Sequence, residues 1–274
     1  MNIETLCNKI NLPDSVTQQV LEADVQLDEA LLAPAFTLLT QRETGLEGYG
    51  TLSAALGDDP MGIKMLACQL RCACGRYATY QHLGIPDDIY FATMSCYTRF
   101  VTECLYYKGS YQFDRGWWTW RQLSLSAFRI GRLEFERRHP GEIAVHIPSG
   151  SPLPPEQVEE ALTQAAAFFA KYFPEYTQAE FTCRSWLLSQ ELKKLLPASS
   201  NILHFMNRFT IREVDEDNQD YISWLFQRPV GVSIEDLPEN TSLQRKVKEY
   251  LLAGGKIGTA SGVLNKGVVD YESE

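Results

Sequence analysis

Alternation along residues 142–147 (EIAVHI) puts Ala144 and His146 on one face of a strand, and Ile143, Val145 and Ile147 on the other. A histidine ending such a strand titrates near neutrality and suits proton transfer. It equally suits a hydrogen bond that fixes the following turn. A second strand, residues 180–187 (EFTCRSWL), brings Phe181, Cys183, Ser185 and Leu187 to one face and Thr182, Arg184 and Trp186 to the other. In a third, Glu134 and Glu136 alternate with Leu133 and Phe135, so both carboxylates share a face. Paired carboxylates bind or deprotonate an amine; matched by Arg132 and Arg137, the same pair is also an ordinary solvated strand face. Tyr221 is a further candidate acid.

Between the first two strands runs Pro148-Ser149-Gly150-Ser151-Pro152, followed by a helix opening at Pro154-Pro155-Glu156. Its apolar positions are Val158, Leu162, Ala165, Phe169 and Tyr172. A strand, a turn, a helix and a strand form a βαβ unit, whose two strands lie parallel. The helix start after the turn is a natural anion site. Ser149, Gly150 and Ser151 offer backbone N–H groups and two hydroxyls to an anion, or simply make the turn.

Other reactive groups read as packing. Cys68, Cys72 and Cys74 lack the Cys-x2-Cys spacing of a zinc knuckle, and 74 lies far around the helix from 72. No metal is expected. The Gly-rich stretch from Gly254 to Gly262 lacks the order of a phosphate loop and reads as flexible. Trp117, Trp118 and Trp120 either line a pocket or pack a domain seam.

These residues need elements to hold them. Residues 1–114 read as helix after helix. Gly45, Gly48 and Gly50 mark a loop. Asp58-Asp59-Pro60 and Pro86-Asp87-Asp88 are helix starts, with acids beside the positive dipole end. The second start opens one helix from Ile89 to Tyr107. From Trp117 the pattern becomes strand-like, and residues 115–274 read β-β-β-α-β-α-β-β, with Arg208–Val214 and Tyr221–Phe226 as the last strand pair. The fold class is α+β: an all-α domain over 1–114, then a mixed domain over 115–274.

Composition bounds the rest. The chain has 274 residues, 45% hydrophobic and 22% charged, as expected of a globular protein with a sizeable core. Net charge is −10, which argues against a general nucleic-acid binder. Residues 1–114 carry 7 basic and 14 acidic residues; residues 115–274 carry 18 and 21. An anionic ligand should therefore prefer the second part. No stretch approaches the roughly 18–20 apolar residues a membrane helix needs, and the N-terminus lacks a signal-peptide pattern. Seven cysteines, an odd number, fit a reducing cytoplasm.

Longer strings carry a resemblance. Trp117-Trp118, Arg129-Ile130-Gly131-Arg132-Leu133-Glu134-Phe135-Glu136 and His146-Ile147-Pro148-Ser149-Gly150-Ser151-Pro152-Leu153 form one set; Cys183-Arg184-Ser185-Trp186-Leu187-Leu188 and Pro197-Ala198-Ser199-Ser200-Asn201-Ile202 form another. Together they resemble acyltransferase proteins built from a helical N-terminal domain and a GNAT-like C-terminal domain. The resemblance spans nearly the whole chain and is densest from 117 to 209.

It implies transfer of an acyl group from acyl-CoA to a small-molecule amine acceptor. The two parallel strands would splay to admit the pantetheine arm, and Ser149, Gly150 and Ser151 would take the cofactor's phosphates. His146 would be the base, Glu134 a carboxylate for the amine, and Cys183 or Ser185 the acid for the leaving thiolate or a covalent nucleophile. The turn departs from the usual GNAT run of spaced glycines, holding one glycine among prolines that have no N–H. A non-catalytic module that binds a ligand or a protein is the alternative.

Overall fold

The computed structural model describes residues 1–265. The helices before the sheet are α1 (Ile3–Lys9), α2 (Asp14–Asp24), α3 (Glu29–Leu39), α4 (Gly45–Leu56), α5 (Ile63–Leu83), α6 (Asp87–Met94), α7 (Cys96–Lys108) and α8 (Gly116–Leu123). Then follow β1 (Ala127–Ile130), β2 (Leu133–His139), β3 (Glu142–His146), α9 (Pro155–Tyr172), β4 (Glu180–Ser185), α10 (Leu192–Leu195), α11 (Asn201–Asn207), β5 (Phe209–Asp215), α12 (Asp220–Leu225), α13 (Ser242–Leu252) and β6 (Thr259–Leu264). The strand order is β1-β2-β3-β4-β6-β5. The architecture is α+β. The chain forms two compact units: Met1–Ile130 with Glu134–Glu136, and Gly131–Leu133 with the chain from Arg137 onward.

In the helical unit the start signals work as expected. The Asp59 carboxylate accepts from the Lys64 and Met65 amides at 3.2 and 2.8 Å, capping α5. Pro86 precedes α6, with Asp87 and Asp88 in its first turn. The single helix expected from Ile89 breaks at Ser95, whose hydroxyl donates to the Ala92 carbonyl at 2.6 Å.

The glycines at 45 and 48 are helical rather than a loop. A Cβ at Gly45 would overlap the Trp120 ring, and one at Gly48 would overlap the α3 backbone at Leu38 and Leu39. These glycines allow close packing, so their signal was mistaken for a turn. The strand expected from Trp117 is instead α8. Gly116, Thr119, Gln122 and Leu123 are its buried face, and Gln69 bridges Thr119 and the Gly116 carbonyl. Burial at helical spacing overrides the β preference of the tryptophans.

In the second unit, β3 and α9 lie where the sequence puts them. Pro154 and Pro155 start α9, and Val158, Ala161, Leu162, Ala165, Phe168 and Phe169 are buried. Two elements differ from expectation. Of residues 221–226, expected as a strand, 221–225 fall in α12 and Phe226 is its C-cap; the Asn218 side chain accepts from the Asp220 amide at 2.9 Å, and Tyr221 and Ile222 are buried. The supposed flexible tail supplies β6, which runs antiparallel between β4 and β5. Gly262 packs closely there: a Cβ would lie 3.0 Å from Phe209 Cβ and 3.1 Å from the Thr210 carbonyl.

Candidate active site

The site is built by the end of the β3–β4 ladder. These strands pair in parallel at Glu142↔Glu180, Ile143↔Phe181 and Ala144↔Thr182. The next pairings in register, Val145 with Cys183 and His146 with Arg184, are not part of the ladder, although β3 runs on to His146 and β4 to Ser185. On its other side β4 continues without a break, pairing Thr182 through Ser185 with β6. The β3–β4 ladder therefore ends after three residue pairs, which leaves a gap in the ladder at the C-terminal ends of the two strands. That end of a parallel sheet is where ligands enter α/β folds.

Register assigns the candidate residues to faces. Residues paired side by side point the same way, so Ala144, His146, Thr182 and Arg184 share one face. Ile143, Val145, Cys183 and Ser185 share the other. His146 is half-buried. Cys183 is 1% exposed, and burial pushes its thiol up to about 12, so at neutral pH it is a protonated core group. Ser185 accepts from the Leu187 amide at 3.1 Å, capping the single turn Trp186–Leu188, and keeps its own O–H to donate. The structure thus brings His146 and Ser185 to one gap but on opposite faces.

Glu134 belongs to the helical unit. It is buried, with Arg99 at 2.6 Å and Arg129 at 3.8 Å, while Glu136 takes Arg121 at 3.0 Å. These are the carboxylates' partners, rather than the Arg132 and Arg137 that neighbour them in sequence. Arg137 is stacked on the Phe173 ring, 3.8 Å from its centroid. Burial likewise pushes the Tyr221 hydroxyl up.

The turn after β3 is a hydrogen-bonded β-turn. The Ser151 amide donates to the Pro148 carbonyl at 3.1 Å, and Gly150 takes φ +69°, the conformation glycine supplies at the third position of a type II turn. The Ser151 hydroxyl donates to the Arg132 carbonyl at 3.1 Å. Arg132 in turn donates through Nε to Gln157 Oε1 at 2.6 Å, in the first turns of α9. Nothing lies within 4 Å of a Cβ placed on Gly150. An exposed guanidinium, an open turn and a helix N-terminus therefore meet at one end of β3.

Arg132 and Arg184 were not singled out by their spacing. The only sequence signal for them was the concentration of basic residues after position 115. Among the described residues, no group of three or more His, Cys, Asp or Glu is placed to hold a metal. No described helix is long and apolar enough to cross a membrane.

A helical unit joined to a mixed-sheet unit whose central parallel strands part above a helix start defines the GNAT-like class. Residues 1–125 match the N-acyltransferase N-terminal domain, and residues 127–264 match the GNAT-like C-terminal domain. The chain belongs to this two-domain N-acyltransferase family.

Among solved structures, an acyltransferase in complex with decanoyl-CoA and teicoplanin shares the fold with a TM-score of 0.80 and 22% identity, over 95% of this chain and 86% of that one. An acyltransferase in complex with decanoyl-CoA alone matches at 0.79 and 22%, over 96% and 87%. One in complex with CoA and 10C-teicoplanin matches at 0.80 and 22%, over 95% and 86%. No curated protein matches the chain.

Proposed function

We propose that the protein is an acyl-CoA-dependent N-acyltransferase that moves an acyl group from the thioester to an amine. The observation that carries this reading is the end of the parallel β3–β4 ladder at Ala144↔Thr182, with His146 just beyond it. The complexes of similarly folded acyltransferases with decanoyl-CoA support it.

In this reading the pantetheine arm lies in the gap, with the thioester between the two sheet faces. The open amides of the Ser149-Gly150 turn, the Arg132 guanidinium and the start of α9 receive the diphosphate. Ser151 braces that turn through its bond to the Arg132 carbonyl. His146 takes the proton from the attacking amine on one face. The N–C bond forms, the C–S bond breaks, and the departing thiolate takes its proton from solvent through the Ser185 hydroxyl on the other face, while His146 returns the amine's proton to solvent. Transfer is direct, because Cys183 is a buried neutral thiol and does not attack. Glu134 holds its arginines.

A second reading, binding of acyl-CoA without turnover, is favoured by the prolines at the start of α9, which remove amides from the anion site. The two are told apart by measuring thermal stability and free-thiol release with decanoyl-CoA. A ligand at 100 times its Kd stabilises a fold by about 2.7 kcal/mol. A raised Tm with thiol release upon adding amines supports transfer, and a raised Tm without release supports the binding module. No change in Tm removes acyl-CoA from both.

A further inference from the structure

The sheet face that carries His146 has a second group at the gap. Arg184 stands opposite His146 in register, two residues beyond the last β3–β4 pair. On the same face the register places Glu142, Thr182, Ser261, Glu213 and Asp215. Arg184 is the cation of this set. It is 42% exposed, and its terminal nitrogens reach Asp215 Oδ2 at 3.0 Å and Ser261 Oγ at 3.4 Å. A guanidinium has five N–H donors, so these bonds leave part of the fork unfilled. A solvated ion pair adds little to stability, so the fold has little need of this one. Asp215 and Ser261, on β5 and β6, hold this flexible side chain in place over the β6 side of β4, and a side chain already ordered lowers the cost of binding.

We propose that Arg184 binds a carboxylate of the acceptor. The acceptor is then an amine with a carboxylate a few bonds from its nitrogen, an amino acid in the broad sense. This inference rests on the acyl-transfer reading above. Paired strands lie about 4.8 Å apart, and these have begun to part. A nitrogen beside His146 and a carboxylate on Arg184, whose fork lies over the β6 side of β4, therefore belong to one molecule that reaches across β4. The planar fork of arginine matches a carboxylate in two parallel bonds. During transfer the carboxylate is unchanged: the amine nitrogen bonds the acyl carbon, its proton passes to His146, and CoA leaves as the thiol.

The test follows CoA thiol release from decanoyl-CoA with amino acids and their carboxamides, at matched concentrations of free amine. The acids should give at least tenfold higher kcat/KM. Arg184→Gln should remove that preference through KM, leaving the carboxamides unaffected. Arg184→Lys should restore part of it, and Arg212→Gln, an exposed change on β5, should leave it intact. Carboxamides used as well as acids by the unaltered protein, or an Arg184→Gln loss equal for both, overturns the carboxylate assignment alone. Absence of thiol release with every amine overturns the transfer reading beneath it.

Discussion

His146 and Arg184 stand in register two positions beyond the last β3–β4 pair, Ala144↔Thr182, and the ladder stops before them. β4 remains fully paired with β6 through Ser185, so the opening does not arise from fraying of β4. One neighbour has turned away while the other stays. The turn after β3 accounts for this: Pro148 follows within two residues, and the Ser151–Pro148 bond redirects the chain toward α9. β3 leaves the sheet by a proline-led turn, while β4 keeps an unshifted register with β6.

His146→Ala tests the base. General base catalysis typically contributes about 10²–10⁴ in rate. The substitution should lower kcat by that order while leaving decanoyl-CoA stabilisation of the fold unchanged. His146→Gln, which keeps a hydrogen bond but not a titrating group, should fall with it. Full activity in His146→Gln would show that the imidazole only fixes the turn.

Arg132→Ala tests the phosphate end. If the guanidinium meets the diphosphate, the substitution should weaken decanoyl-CoA binding by about tenfold, the scale of one charge-assisted contact. Decanoyl-pantetheine, which lacks the diphosphate, should bind both proteins alike. Equal losses with both ligands would assign Arg132 to bracing Gln157 and the turn.

The central βαβ unit was legible because its signals are local. EIAVHI alternates, Pro154-Pro155 starts a helix, and α9 shows its apolar face at regular spacing. The elements misread depend on distant partners. Gly262 looked like flexibility, yet its missing side chain is what lets β6 lie against Phe209. Residues 221–226 are an apolar run too short to separate strand from helix by period. Face-sharing within one strand was readable from alternation. That His146 and Ser185 lie on opposite faces depends on the Ala144↔Thr182 register, which no single strand contains.

Gly48→Ala tests the packing account of the α4 glycines. The built Cβ meets the backbone of Leu38 and Leu39, which cannot swing aside as a flexible side chain would. Overpacking of this kind costs about 1–3 kcal/mol, despite alanine's better helix propensity. Chemical denaturation should show the loss. Gly50→Ala, where nothing lies within 4 Å, should stabilise slightly.

Glu134→Gln separates bracing from chemistry. The carboxylate is 6% exposed against Arg99, and removing one member of such a pair leaves a poorly solvated charge. Stability should fall by about 2–4 kcal/mol, with kcat/KM retained below the new Tm. A large loss of kcat in a protein that still melts normally would return Glu134 to the reacting groups.

Alkaline pH should weaken the fold through its thiols. Burial pushes Cys68, Cys72 and Cys183 up to about 12 from an ordinary value of 9.0. Above pH 9 the unfolded chain loses these protons while the folded chain keeps them. The unfolded state then binds fewer protons, so stability declines as pH rises from about 9 toward 12. Each such thiol adds a slope of about 1.4 kcal/mol per pH unit in that window. Denaturation midpoints measured from pH 7 to 10.5 should be level up to about 8.5 and fall beyond it. Cys183→Ala should make the fall shallower, and a fall of unchanged steepness in that variant would mean that Cys183 ionises as readily in the folded chain as in the unfolded one.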